Sequence, residues 1–240
     1  MEARSILRRH PALARLNDTV LDRLAHEASV QRLRRGEALW RAGEKACSFI
    51  VVGHGLVKVV LPSTGSRDLV MGLFGPGESV GDAALLDGGQ YPAEALALTD
   101  PVIIARVPRE QLFASLEQCG AAALDLAREM SRRAAIANRR ISLFSASAEE
   151  RLASTLLELG ERFGDEMEDG STLIPLRLTR AELAALVGTT VETTIRTLSR
   201  WSREGLVSTT EGGLAVHDAS ALARRSAPPV AFSELGTARN

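Results

Sequence analysis

The spacing of hydrophobic positions changes twice along the chain. In LNDTVLDRLAHEA, Leu16, Leu21 and Leu24 recur at helical intervals. From 28 to 107 the apolar positions gather into short runs closed by glycine or proline: EALWRAG, CSFIVVGHGLVKVVLP, RDLVMGLFGPGESVG and EALALTDPVIIARVP, with PSTG and FGPG as turn signals. Short strands at this spacing predict an antiparallel β-roll. Past Pro108 glycine nearly vanishes, and REQLFASLEQ and AAALDLAREMSRRAAIANRRISLFSAS read as helices, the second unusually long for a globular domain. Alternating steps of four and three along it pick out Ala123, Ala127, Met130, Ala134, Ala137, Ile141 and Phe144, an apolar seam suited to a second identical helix. The alternative is that this stripe packs on its own roll. Alanines bury little area each, so a dimer should also lean on Leu124, Leu126 or Ile136.

Near Ala148 the texture changes again: an amphipathic helix, EERLASTLLELGERFG, an acidic turn, DEMEDG, an extended piece, TLIPLRL, and two helices, TRAELAALVG and TTVETTIRTLSRWSREG. Thr179 with Glu182 fits a capping box, and Gly188 with Thr189 and Thr190 supplies a sharp turn between helices. GLVSTTEGGLAVHD reads as two strands closed by Glu211, Gly212 and Gly213, a wing. The expected architecture is α+β: a β-roll with flanking helices over 1–119, a dimerisation helix over 120–146, a winged helix-turn-helix over 147–226 and a mobile tail over 227–240.

On the second of those helices Thr194, Leu198 and Trp201 share one face, while Glu192, Ile195, Arg196, Ser199 and Arg203 share the other. The second face suits a major groove. Arginine can donate twice to guanine, glutamate can accept from cytosine, and an apolar group can cover a thymine methyl. Arg177, Arg180, Arg200 and Arg203 are candidates for phosphate contacts that set position, and Thr190 completes the DNA-binding set. The competing reading makes Glu192 a capping acid for Thr189 and an ordinary i,i+4 partner of Arg196, worth about 0.2–0.5 kcal/mol.

Composition narrows the picture. A hydrophobic fraction of 45% and a net charge of −1 describe a packed protein with no bulk attraction to nucleic acid, so polyanion binding has to come from a local patch. Two cysteines, Cys47 and Cys119, are too few for a disulfide scaffold or an iron-sulfur cluster. The opening MEARSILRRHPALARL lacks a signal-peptide core, and no run approaches the roughly 18 apolar residues of a spanning helix, which points to the cytoplasm and away from membranes. The segment GDAALLDGGQYPAEA, Gly81 to Ala95, has the texture of a small-anion loop yet carries Asp82, Asp87 and Glu94 and no lysine or arginine.

A β-roll, a long helix and a C-terminal winged helix-turn-helix, in that order, resemble the cAMP receptor protein and fumarate-nitrate regulator (CRP/FNR) family of bacterial transcription factors. The resemblance spans about 12–225 and rests on GEALWRAGEK, VVGHGLVKV, PGESVGDAALLDG and LTRAELAALVGTTVETTIRTLSRWSREGLV. It implies a homodimer on double-stranded DNA, with Glu192 and Arg196 reading a G·C-containing half-site and Ile195 helping to choose the neighbouring base. It also implies an effector pocket at Gly81, Asp82, Tyr91, Pro92, Ala93 and Asn138. There Pro92-Ala93 replaces the family's phosphate-binding Arg-Ser, Asp82 replaces the ribose glutamate, and Ala137-Asn138 replaces the adenine-contacting Thr-Ser. Burying a cyclic phosphate beside Asp82 and Glu94 without a cation should cost several kcal/mol, so cAMP is not expected to bind tightly.

The sequence names no effector. His10, His26, His54, Cys47 and Cys119 could each supply a haem ligand, but such residues are more often structural, and a redox role for Cys119 is similarly disfavoured. Activation would require contacts to RNA polymerase, which charge does not locate. A cupin-like metal-dependent enzyme is the rival class, yet the roll holds a single histidine, His54, so neither a metal site nor catalysis is expected. A nucleotide-binding regulatory module for some other effector domain is weakened by the helix-turn-helix, which already supplies the effector.

Overall fold

The computed structural model describes residues 1–61, 69–142 and 146–226, with side chains described for all of these except 138–142. The expectations for Phe144 and for the tail therefore lie outside the described residues, as do those for the side chains of Asn138 and Ile141. Two compact units divide the chain, 1–133 and 134–240.

The first unit opens with α1 (Ala3–Leu7) and α2 (Asp18–Glu27), whose N-terminus is capped by Asn17 accepting from the Val20 amide at 2.9 Å. Eight strands follow: β1 (Ser29–Leu33), β2 (Ala38–Trp40), β3 (Ser48–His54), β4 (Val57–Leu61), β5 (Leu69–Phe74), β6 (Ser79–Val80), β7 (Glu94–Ala97) and β8 (Val102–Pro108), with α3 (Asp82–Asp87) between β6 and β7. They form two antiparallel sheets, ordered β1-β8-β3-β6 and β2-β7-β4-β5, which is the expected roll. β3 is a continuous apolar run because both of its faces are covered: Phe49, Ile50, Val51 and Val52 are all fully buried.

Helices α4 (Arg109–Glu117) and α5 (Gly120–Ser142) complete the long helical stretch. The unit boundary falls inside α5 because Ala122 and Leu126 belong to the roll's core and Ala123 packs against it. Leu126 is thus unavailable to a helix partner, contrary to one of the expectations above; it is 4% exposed, whereas Leu124 and Ile136 are 52% and 45% exposed. Of the predicted seam, Ala127, Ala134 and Ala137 are exposed and Ala123 and Met130 are half-buried. The exposed line Leu124, Ala127, Ser131, Ala134 keeps the three-four rhythm one position round from the predicted start.

The second unit begins with α6 (Ala148–Phe163), held at its start by a capping box between Ser147 and Glu150. β9 (Asp165–Glu166) and β10 (Thr172–Ile174) lead to α7 (Arg180–Val187) and α8 (Val191–Arg203), then β11 (Val207–Thr210), β12 (Gly213–Val216) and α9 (Ala219–Ala223). The two strands predicted as a wing pair as β11 and β12, within a four-stranded sheet ordered β11-β12-β10-β9. The Thr172–Ile174 piece of TLIPLRL pairs with β12, because a two-stranded ribbon by itself is marginal in water.

Truncation distinguishes the two leucines of α5. Leu126→Ala should destabilise the roll by about 2–5 kcal/mol in urea denaturation, while Leu124→Ala, outside the roll's core, should cost clearly less.

Candidate nucleic-acid interface and effector pocket

The reading helix is set by its turn. Gly188 ends α7 at φ +69°, a left-handed conformation that glycine takes without a Cβ penalty. Thr190 then caps α8, its hydroxyl accepting from the Thr193 amide at 3.0 Å. Arg151 of α6 locks the turn from behind, donating to the carbonyls of Val187 (2.9 Å), Gly188 (3.1 Å) and Ala146 (2.6 Å). The first two are carbonyls at the C-terminal end of a helix, which otherwise lack partners. Residue patterning gave no sign of this role, because α6 lies far from the turn in sequence.

α8 is two-faced. Thr194 and Trp201 are fully buried, Thr197 and Leu198 nearly so, and the Trp201 indole N–H donates to Glu149 at 3.2 Å. The opposite face carries Glu192, Ile195, Arg196, Ser199 and Arg203, all exposed. Among the described residues Arg196 makes no hydrogen bond or ion pair, so its guanidinium is open to an incoming acceptor.

The remaining arginines differ from one another. Arg200 pairs with Glu149 at 2.5 Å and lies 3.9 Å from Glu204, which ties it to α6. Arg180 donates to the Thr209 hydroxyl at 2.6 Å, joining the start of α7 to the wing. A cleft of about 500 Å³ opens between α7 and the wing, with Arg177, Arg180, Thr179, Thr209 and Thr210 along its lining. The N-terminus of α7 adds a partial positive charge there, suited to a phosphate.

In the roll, the predicted pocket residues part into a wall and a charged cluster. Gly81 sits at φ +77°, and a Cβ on it would stand 2.7 Å from Tyr91 and 2.9 Å from Trp40. Those two rings stack with centroids 4.1 Å apart, and the Trp40 indole donates to the Ala93 carbonyl at 2.9 Å. Burial raises the Tyr91 phenol pKa above its usual range. Ala93 is buried in this wall and Pro92 is exposed.

Asp82 is the centre of the charged cluster. At 6% exposure its carboxylate accepts from the Ser79 hydroxyl at 2.8 Å and from Arg133 at 2.7 Å. Arg133 also donates to Ser79 Oγ at 3.1 Å and pairs with Glu129, while its guanidinium lies 5.5 Å over the Phe74 ring. Fully buried His10 brings Nε2 to 3.1 Å from both Ser79 Oγ and Glu129 Oε2, with its ring edge-on to Phe49. The cation that the Gly81–Ala95 segment lacks comes from α5, 51 positions away, and Glu94 finds a second one in Arg41 at 2.6 Å. The sequence signal was faint, an acid and an arginine at i,i+4 on α5.

Burial by itself would push the Glu129 carboxyl up, but hydrogen bonding and attraction from His10 and Arg133 outweigh it and hold the pKa below the usual value. Among the described residues no group of three or more His, Cys, Asp or Glu is placed to hold a metal ion.

Comparison with known proteins accords with both halves. A family model for the cyclic nucleotide-binding domain matches residues 30–119, and one for the Crp-like helix-turn-helix domain matches 150–225. The cyclic AMP receptor protein of Thermus thermophilus is 32% identical over 190 residues, covering 78% of this chain and 83% of that protein. The chain belongs to the CRP/FNR family of transcription regulators. Another relative, the transcriptional activator protein anr of Pseudomonas aeruginosa, is 30% identical over 202 residues, 82% of each chain. Among solved structures, a CRP/FNR-family transcriptional regulator from Thermus thermophilus aligns with TM-score 0.66 at 26% identity, covering 84% of this chain and all of that one. FixK2 from Bradyrhizobium japonicum shares the fold, with TM-score 0.74 at 21% identity over 85% of this chain and 99% of that one.

Within this CRP/FNR-family regulator the cluster around Glu129 should register in the pH dependence of stability. A carboxyl with a folded pKa below its ordinary 4.5 stabilises fully above 4.5, and that contribution is lost as pH falls through the lower folded value. Urea midpoints measured from neutral pH down should therefore drop more steeply below about pH 4.5 in the parent than in Glu129→Gln; parallel curves would remove the assigned role.

Proposed function

We propose that the protein is a homodimeric transcription regulator that places α8 of each copy in a major groove of a pseudo-palindromic site, and that its gating effector is not cAMP. The observation that carries the reading is the exposed face of α8, where Glu192, Ile195 and Arg196 project while Thr194, Leu198 and Trp201 hold the helix down. Arg196 and Glu192 read a G·C pair, and Arg177, Arg180 and Arg203 supply phosphate contacts; Arg200, paired with Glu149, is assigned instead to holding α8 on α6. Two-fold symmetry sets half-sites about 34 Å apart, one helical turn of DNA. A DNA target places the protein in the cytoplasm.

Exclusion of cAMP rests on charge. Arg133 already bridges Asp82 and Glu129, and Pro92-Ala93 offers no replacement donor side chain, so a buried phosphodiester would face carboxylates with their cation engaged. Desolvating an anion beside carboxylates with no free cation costs several kcal/mol. Dimerisation is assigned to the exposed apolar line of α5, Leu124, Ala127 and Ala134, flanked by Ile136.

A mobility-shift assay on a site selected from random duplexes tests the DNA reading. Arg196→Ala should weaken binding by about 1–3 kcal/mol and relax preference at one base pair, and saturating cAMP should leave the parent's affinity unchanged. Equal binding by Arg196→Ala and the parent would falsify the assignment. Sedimentation checks the second element: the parent should run as a dimer and Leu124→Arg/Ile136→Arg as a monomer with unaltered circular dichroism. A monomeric parent at the same concentration sinks the dimer.

A further inference from the structure

Part of the second unit's core is left unfilled. Leu156 and Leu159 of α6, Ile174 of β10, Leu183 of α7 and Leu214 of β12 are all buried, and together they line the cleft of about 500 Å³ between α7 and the wing. Protein interiors are close-packed with few voids larger than a water molecule, so a space of this size among aliphatic side chains from four elements calls for a reason. The local cause lies in the chain after β10. Pro175 has no N–H to carry the strand further, and the amides of Leu176 and Leu178 bond only two residues back, to the carbonyls of Ile174 at 2.7 Å and Leu176 at 2.9 Å. The segment therefore turns twice instead of continuing the strand, and its Leu176, Arg177 and Leu178 join the lining.

A DNA phosphate at this cleft would use the arginines and the start of α7, but it has no use for an aliphatic wall. Pockets of about 300–1,000 Å³ with a mostly apolar lining and a few placed polar groups are the ordinary form of a small-molecule site. The ionic groups on this lining are Arg177, Arg180 and Glu211, two cations against one acid, so a monoanion balances them. Arg180 is held toward the wing by its bond to Thr209, and the N-terminus of α7 adds a partial positive charge. A guanidinium fork suits a carboxylate, and the aliphatic wall suits an alkyl chain. We infer that the cleft is a binding site for a medium-chain alkyl carboxylate, its head on Arg177 and Arg180 and its chain against the leucines of α6, α7 and β12. Binding of such a ligand is independent of how α8 docks. Its consequence rests on the proposed phosphate contacts of Arg177 and Arg180: a carboxylate on those guanidiniums takes the place of a DNA phosphate, so ligand and DNA exclude each other.

Isothermal titration of the full chain with octanoate and decanoate, each below its micelle concentration, reads the binding. The parent should take up one decanoate per chain, about fifteenfold more tightly than octanoate, because each buried methylene is worth about fourfold. Arg177→Gln/Arg180→Gln should weaken decanoate about tenfold or more. Leu178→Trp, at a half-buried position of the lining, adds bulk to the cleft and removes no charge, so it should abolish uptake with unaltered circular dichroism. The chain-length ratio is read on the parent alone and decides the matter even where Leu178→Trp does not fold. In fluorescence anisotropy on a selected duplex, decanoate should weaken DNA binding by the parent and leave that of Leu178→Trp unchanged. Absence of saturable heat with decanoate, equal affinities for the two acids, or parental affinity in a folded Leu178→Trp overturns the site. Binding with the expected chain-length and arginine dependence but no effect on DNA overturns the phosphate contacts of Arg177 and Arg180 and leaves the ligand site standing. Failure of the parent to select any duplex overturns the docking of α8 and, of this inference, the competition alone.

Discussion

A helix that offers one face to a groove has to be gripped by the other, and the grip on α8 is Trp201. Its indole is wholly buried, and its N–H is satisfied by Glu149 on α6. A buried indole donor without an acceptor would cost about 1–3 kcal/mol, so the bond fixes the rotation of α8 as well as its position. Arg200 pairs with the same carboxylate, and Arg151 fastens the preceding turn to the same helix. The direction in which Glu192, Ile195 and Arg196 project is therefore decided on α6.

The roll rests on a comparable constraint of opposite sign. Asp82 is nearly inaccessible, and a buried carboxylate is tolerated when it is paired and hydrogen-bonded. Ser79, Arg133, Glu129 and His10 meet that requirement by joining the segment before α2, the β6–α3 corner and α5 into one polar cluster. Removing Arg133 would leave the buried Asp82 carboxylate without its cation, which is far more costly than the pair's net value. Of the residues where the family resemblance placed an effector, Asp82 belongs to this cluster, which accounts for how a buried acid is tolerated in a loop that carries no cation of its own.

Much of the fold was legible in order along the chain. Glycine-punctuated runs became the two sheets, the capping box at Thr179 began α7, and Gly188 turned the helix pair. The recognition face was legible for the same reason, since a helix of period 3.6 sorts its residues into two sides whatever it packs against. Less legible was the long helix, whose first half shares the roll's core: a stripe of alanines reads alike whether it faces a sheet or a second helix. Arg200 belongs with it, because an exposed-looking arginine shows its partner only once α6 is in place.

Local rules, such as strand and helix periodicity, caps and the left-handed glycine turn, act over a few residues, and the sequence by itself determined everything they govern: the order of elements, the winged helix-turn-helix and the side of α8 turned outward. Tertiary structure decided the rest: that Arg133 neutralises an aspartate 51 positions away, that Leu126 faces inward while Leu124 does not, and that Arg151 closes a turn it does not adjoin. Those are contacts between distant segments, and their energies come from burial and charge pairing that exist only after the chain has folded.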